Sequence, residues 1–144
     1  NLAQLLAQER EVTKPRRWAA RAGREDWNNL IDWVDQLNSG YSLLNDYSIP
    51  PCWPAHPGVV EELAGLWRSW IHATINDARA KTHGSSELTA WHDRWLWPCL
   101  VRVKNGHYIS TNCRQRHSAE ARRPASTDRS LIPRHYTDTL PHLH

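Results

Sequence analysis

The chain has no phenylalanine, no methionine, three lysines and three cysteines. With Phe and Met absent, the large apolar side chains are nine Trp, four Tyr and the aliphatics. The shortage of Lys, against fifteen Arg, fits a GC-rich coding sequence and carries no functional meaning. A chain that opens on Asn1 without any Met is expected to be a processed or trimmed form of a slightly longer one. Three cysteines, an odd number, argue against a secreted disulfide framework and leave metal binding as the better use for two of them. No stretch approaches the roughly eighteen apolar residues of a membrane span. Residues 1–12 also lack the apolar block of a signal peptide, so a cytoplasmic location is expected. Walker A, GxGxxG, GxSxG and HExxH motifs are all missing, and an enzymatic role is not expected.

What is present is helical periodicity. At 144 residues the chain makes one domain able to bury a core without a metal's help. Leu2, Leu5 and Leu6 share one face of a short amphipathic N-terminal helix. Trp27, Leu30, Ile31, Val34 and Leu37 follow the i, i+3, i+4, i+7 spacing of a core-facing helix, which Asn38-Ser39-Gly40 should end. A proline-rich loop covers residues 41–57. Pro57 then opens a long helix that carries Val59, Val60, Leu63, Trp67, Trp70, Ile71 and Ala78. After the turn His83-Gly84-Ser85-Ser86, a third main helix presents Leu88, Trp91, Trp95 and Cys99 along one face, and Pro98 should kink or divide it. The expected fold is all-α, a bundle of three main helices plus the short N-terminal one. Its parts are residues 1–24 (N-terminal helix and basic arm), 25–118 (core) and 119–144 (an extended or disordered basic tail).

Two segments share one spacing: Cys52-Trp-Pro-Ala-His56 and Cys113-Arg-Gln-Arg-His117. Thiolate and imidazole are the preferred ligands of zinc, and two of each close a tetrahedral structural site. A three-residue gap lets both side chains of a pair converge from one turn. Fifty-six residues separate His56 from Cys113, so an ion held by Cys52, His56, Cys113 and His117 would staple the loop before one helix to the segment after the next. The competing reading is two buried thiols and two surface histidines, with His92 and His107 as reserve ligands. Cys99 reads as a small core residue. His135, His142 and His144 form a terminal histidine cluster of the kind that binds metal weakly.

The net charge of +3 conceals a partition. Lys14, Arg16, Arg17, Arg21 and Arg24 lie in a stretch without an acid, residues 25–101 are acidic, and Arg102, Lys104, Arg114, Arg116, Arg122 and Arg123 follow. Two basic flanks suit a polyanion such as DNA or RNA, although solvated ends would carry the same charges. Trp18, set among arginines, would stack on bases or else pack back onto the helices.

Cys52-Trp53 with His56, Trp91-His92-Asp93-Arg94-Trp95-Leu96, and the late Cys113 and His117 resemble a family of small actinobacterial proteins carried on plasmids, integrated elements and phages, with the pattern CWxxH…WHDRWL…CxxxH. Pro15-Arg16-Arg17-Trp18 and Trp33-Val34 match as well, so the resemblance spans about residues 14–118. Trp97-Pro98-Cys99 is a local departure that touches no proposed ligand. The resemblance implies a mobile-element accessory role and supports the paired site. Within WHDRWL, His92 and Asp93 are neighbours about 100° apart on a helix and cannot form a dyad together. The functional expectation is a non-enzymatic, zinc-stapled module that binds nucleic acid through its basic flanks. The alternative is a protein-interaction subunit of a larger nucleoprotein assembly.

Overall fold

A computed structural model describes residues 1–13, 16–44, 46–80, 86–114, 116–117 and 126–135. Among them the chain is all-α, without a β-strand. Its α-helices are α1 (Leu2–Thr13), α2 (Trp18–Arg21), α3 (Arg24–Gly40), α4 (Pro57–Arg79), α5 (Ser86–Trp91) and α6 (Trp97–Lys104). Short 3-10 turns cover Trp53–Ala55, Thr111–Arg114 and Arg129–Leu131, and a π-helical turn, His92–Leu96, joins α5 to α6. No described helix is long and apolar enough to cross a membrane. Lys14, residues 81–85, Arg122, Arg123 and most of the tail lie outside the described residues.

Helix α4, 23 residues and about 35 Å long, is the spine of the fold. Pro57 occupies its first turn, where a missing N–H costs nothing. Its buried face of Val59, Val60, Leu63, Leu66 and Ala73 meets Leu30, Trp33, Val34 and Leu37 of α3 and Leu100 and Val103 of α6. The expected Ala78 is exposed. Trp91 is buried, and its indole N–H donates to Ser69 Oγ at 2.8 Å, while that hydroxyl donates to the Leu66 carbonyl at 2.7 Å. The first turn of α5 is held from α4, because Asp77 accepts the backbone N–H groups of Glu87 and Leu88.

Helix α3 ends at Gly40, as the Asn38-Ser39-Gly40 signal predicts; Gly40 itself stays helical, Tyr41 caps the helix, and Ser42 adopts φ 51°. One expectation needs correction: Trp95, expected in the core, is 55% exposed, whereas Leu96 is 1% exposed. The cause is Pro98. In an unbroken α-helix its ring would collide with the Arg94 carbonyl and leave that carbonyl without a donor. The chain widens instead, and Trp97 N–H reaches back five residues to the His92 carbonyl. One extra residue in the turn re-phases the apolar stripe from Trp91 to Leu96, Cys99, Leu100 and Val103. The third main helix is therefore two short helices with a phase shift between them.

This re-phasing predicts an inverted cost ranking. Leu96→Ala should destabilise the fold by about 2–5 kcal/mol, and Trp95→Ala, although the larger truncation, by about 1 kcal/mol or less. Denaturant unfolding of the two variants measures this, and the opposite ranking would put Trp95 inside.

Candidate metal centre

Cys52 and His56 flank one 3-10 turn, and Cys113 sits on another. In the first, Ala55 N–H bonds the Cys52 carbonyl at 3.0 Å and His56 N–H bonds the Trp53 carbonyl at 3.0 Å. His56 is also the N-cap of α4, its carbonyl accepting from Val60 at 3.1 Å. In the second, Cys113 N–H bonds the Ser110 carbonyl at 3.0 Å. The turns are aimed at each other by contacts outside the ligand set. The Asn38 amide takes both backbone groups of Ile49, accepting from its N–H at 2.8 Å and donating to its carbonyl at 3.2 Å. Arg114 then donates to the Ser48 carbonyl at 2.8 Å, joining the residue after Cys113 to the strand of loop that leads to Cys52. Ile49, Trp53 and Ile109 are buried beneath.

The result is a cluster in which one ligand atom each from Cys52, His56, Cys113 and His117 lies within 4.8 Å of every other. Cys52 Sγ is 3.5 Å and Cys113 Sγ 3.7 Å from His56 Nε2, and the two imidazole rings are 5.2 Å apart between centroids. Cys113 is buried, Cys52 and His56 are half-buried, and His117 is exposed. These four residues lie close enough to bind a metal ion. Two soft and two borderline donors make a set of four, the number that a tetrahedral ion takes.

Burial first, and then the neighbouring Cys113 thiol, raise the Cys52 thiol above its ordinary value. Burial and the adjacent His117 lower His56. Without an ion the pair is therefore held as neutral thiol and neutral imidazole. The His56 contribution to stability is present above the ordinary imidazole range and lost as pH falls through the depressed value. That of Cys52 is lost as pH rises through the raised one. A bound cation reverses the thiol preference, because a coordinated thiol is deprotonated.

The reserve ligands are placed elsewhere. His92 Nε2 is hydrogen-bonded to the Tyr41 hydroxyl at 2.8 Å, and His107 lies outside the cluster. Cys99 is core, and burial pushes its thiol up to about 12. Of the nucleic-acid candidates, Arg16, Arg17, Arg21, Arg24 and Arg116 are exposed, and Arg114 is half-buried in its grip on Ser48. Trp18 packs edge-on against Trp27 at 5.0 Å between centroids, so this ring serves packing. Sequence reasoning did not anticipate Glu61 as an anchor. Its carboxylate accepts the Trp18 and Ala19 N–H groups and so caps α2, a long-range partnership that no local spacing signals. Comparison with protein-family models, curated proteins and solved structures finds no match.

Elemental analysis of the purified, untagged chain should find one metal ion per molecule, and Cys113→Ser should abolish it. Competition with a chelator should show affinity falling as pH is lowered, with protons released on binding. Metal-free protein that Cys113→Ser leaves unchanged in stability would remove the site.

Proposed function

We propose that this chain is a non-enzymatic, zinc-stapled module that binds nucleic acid through a basic surface at the N-terminal end of α4. Zinc suits the donor set. At bond lengths of about 2.3 Å to sulfur and 2.0–2.1 Å to nitrogen, a tetrahedral ion places S and N about 3.5 Å apart, close to the 3.5 and 3.7 Å found here. A closed set of four argues for a structural ion and against metal-assisted hydrolysis.

The observation that carries the nucleic-acid reading is convergence. Glu61, which holds the start of α2, is five positions beyond His56, about 7.5 Å along the helix axis. Arg17, Arg21 and Arg24 are thus anchored at the same end of α4 as Arg114 and Arg116, although about ninety positions divide the two groups in sequence. Clustered guanidinium groups near a helix N-terminus favour phosphate. The mobile-element setting rests on the CWxxH, WHDRWL and late CxxxH blocks alone, and a cytoplasmic location is part of the same reading. One observation favours the alternative, a subunit of a larger assembly: Leu2, Leu5 and Leu6 line α1 and are all exposed.

Zinc-loaded protein should bind DNA or RNA oligonucleotides with an affinity that falls steeply with salt. Arg17→Ala with Arg21→Ala should lower the slope of log K against log salt by about 1.5–2, as expected for two lost phosphate contacts. Folded, metal-loaded protein without salt-dependent binding would leave the assembly-subunit reading in its place.

A further inference from the structure

A groove of about 490 Å³ runs along the face of α4 that looks toward α6, within the roughly 300–1,000 Å³ of clefts that hold small ligands. Trp95 and Tyr108 line it, and both are substantially exposed, at 55% and 46%. Gly65 and Leu66 belong to its lining, and a Cβ added at Gly65 would meet open space. Tyr108 also lies on Gly58 so closely that a Cβ there would run into the ring, which fixes the position of this aromatic. The polar groups are Glu62 and Arg102. Arg102 Nη2 donates to Glu62 Oε2 at 2.7 Å. Glu62 Oε1 receives only a long bond from the Tyr108 hydroxyl, 3.4 Å.

Single exposed aromatics are ordinary on protein surfaces. Two features set this groove apart. Trp95 reaches it because the π-helical turn displaces the ring from the core face, and such turns concentrate at functional positions. In addition, Arg102 Nε is a buried donor with no acceptor among the described residues, a condition that ordinarily costs about 1–3 kcal/mol. The groove thus combines aromatic faces, a carboxylate oxygen with spare accepting capacity and the partly exposed guanidinium of Arg102.

We propose that it is a base-binding slot. An unstacked nucleobase of a single-stranded nucleic acid lies against Trp95 and Tyr108, gives exocyclic amino protons to Glu62, and accepts from the exposed edge of the Arg102 guanidinium. The inference rests on the nucleic-acid reading above and sharpens it from phosphate binding to single-strand binding. Glu61 also lines the groove, and it is the residue that holds the first turn of α2. The backbone of a strand whose base occupies the slot would therefore run beside the α2 arginines. Because every base has a π-face, stacking makes the slot tolerant of sequence. The Glu62 carboxylate adds a preference for the amino-bearing bases adenine, guanine and cytosine, since thymine and uracil offer it only a single ring N3–H.

Fluorescence anisotropy of labelled (dC)8, (dT)8 and a duplex of equal length, titrated with zinc-loaded full-length protein, tests this. The expected result is tighter binding of (dC)8 than of (dT)8 or duplex. Trp95→Ala should weaken (dC)8 binding about tenfold, Trp95→Phe should restore most of it, and neither should alter duplex binding. Circular dichroism and metal content of the variants establish that they fold. Salt-dependent binding that is equal for all three probes and indifferent to Trp95→Ala would overturn the slot and leave the phosphate-binding surface standing. Absence of binding by any probe at low salt would overturn both.

Discussion

The short helices of this molecule depend on the length of α4. A helix of four, six or eight residues is not stable alone in water, since the cost of nucleation is recovered only over three turns or more. The helices α2, α5 and α6 all fall in that class and persist only against a longer partner. The spine serves them in two ways. Its apolar face supplies the core, and its polar side chains finish the ends of the short helices: Glu61 for α2, Asp77 for α5, and Glu62 for Arg102 of α6. The same helix that gathers hydrophobic surface also satisfies backbone donors that the short helices would leave open.

The metal cluster belongs to this scheme at one end of the spine. His56 is both a candidate ligand and the N-cap, so a force that moves α4 along its axis moves a potential donor atom. Trp53, between the first Cys and His, stacks on Trp27 at 6.2 Å between centroids, and Trp27 meets Trp18. Three tryptophans thus connect the turn carrying Cys52 with the arginine-bearing segment, and the Arg114 bond to Ser48 connects it with the second ligand turn. The arm, the loop and the late CxxxH segment form one body although their sequence positions span most of the chain.

Much of this was legible in the sequence wherever a local rule governs. The 3.6-residue period located α3 and α4, proline at a first turn marked the start of α4, and the repeated C-x3-H spacing picked out four residues that the fold brings within 4.8 Å. Gly106, just past the last main helix, takes the left-handed φ of 77° after the Asn105 cap. Signals that depend on tertiary partners were not legible. That Asn38 would clamp Ile49, or Glu61 cap a helix forty residues earlier, follows from which elements become neighbours. Trp95 differs for another reason: the helical period does not continue unbroken through Pro98, and a sequence shows that a proline disturbs a helix without showing whether the outcome is a kink, a break or a widened turn.

The exposure of Trp95 is therefore a matter of counting. Five residue steps lead from Trp91 to Leu96 where four would continue the spiral, and that surplus of one decides which tryptophan meets solvent. Side-chain identities at His92, Asp93 and Arg94 have little part in it. Surfaces made this way are indifferent to many substitutions and intolerant of a single deletion, since losing any one residue of the turn would draw the indole inward and push Leu96 out. Among related chains, length across this segment would then be kept more strictly than composition, and a gap there would mark a protein that has given up this face.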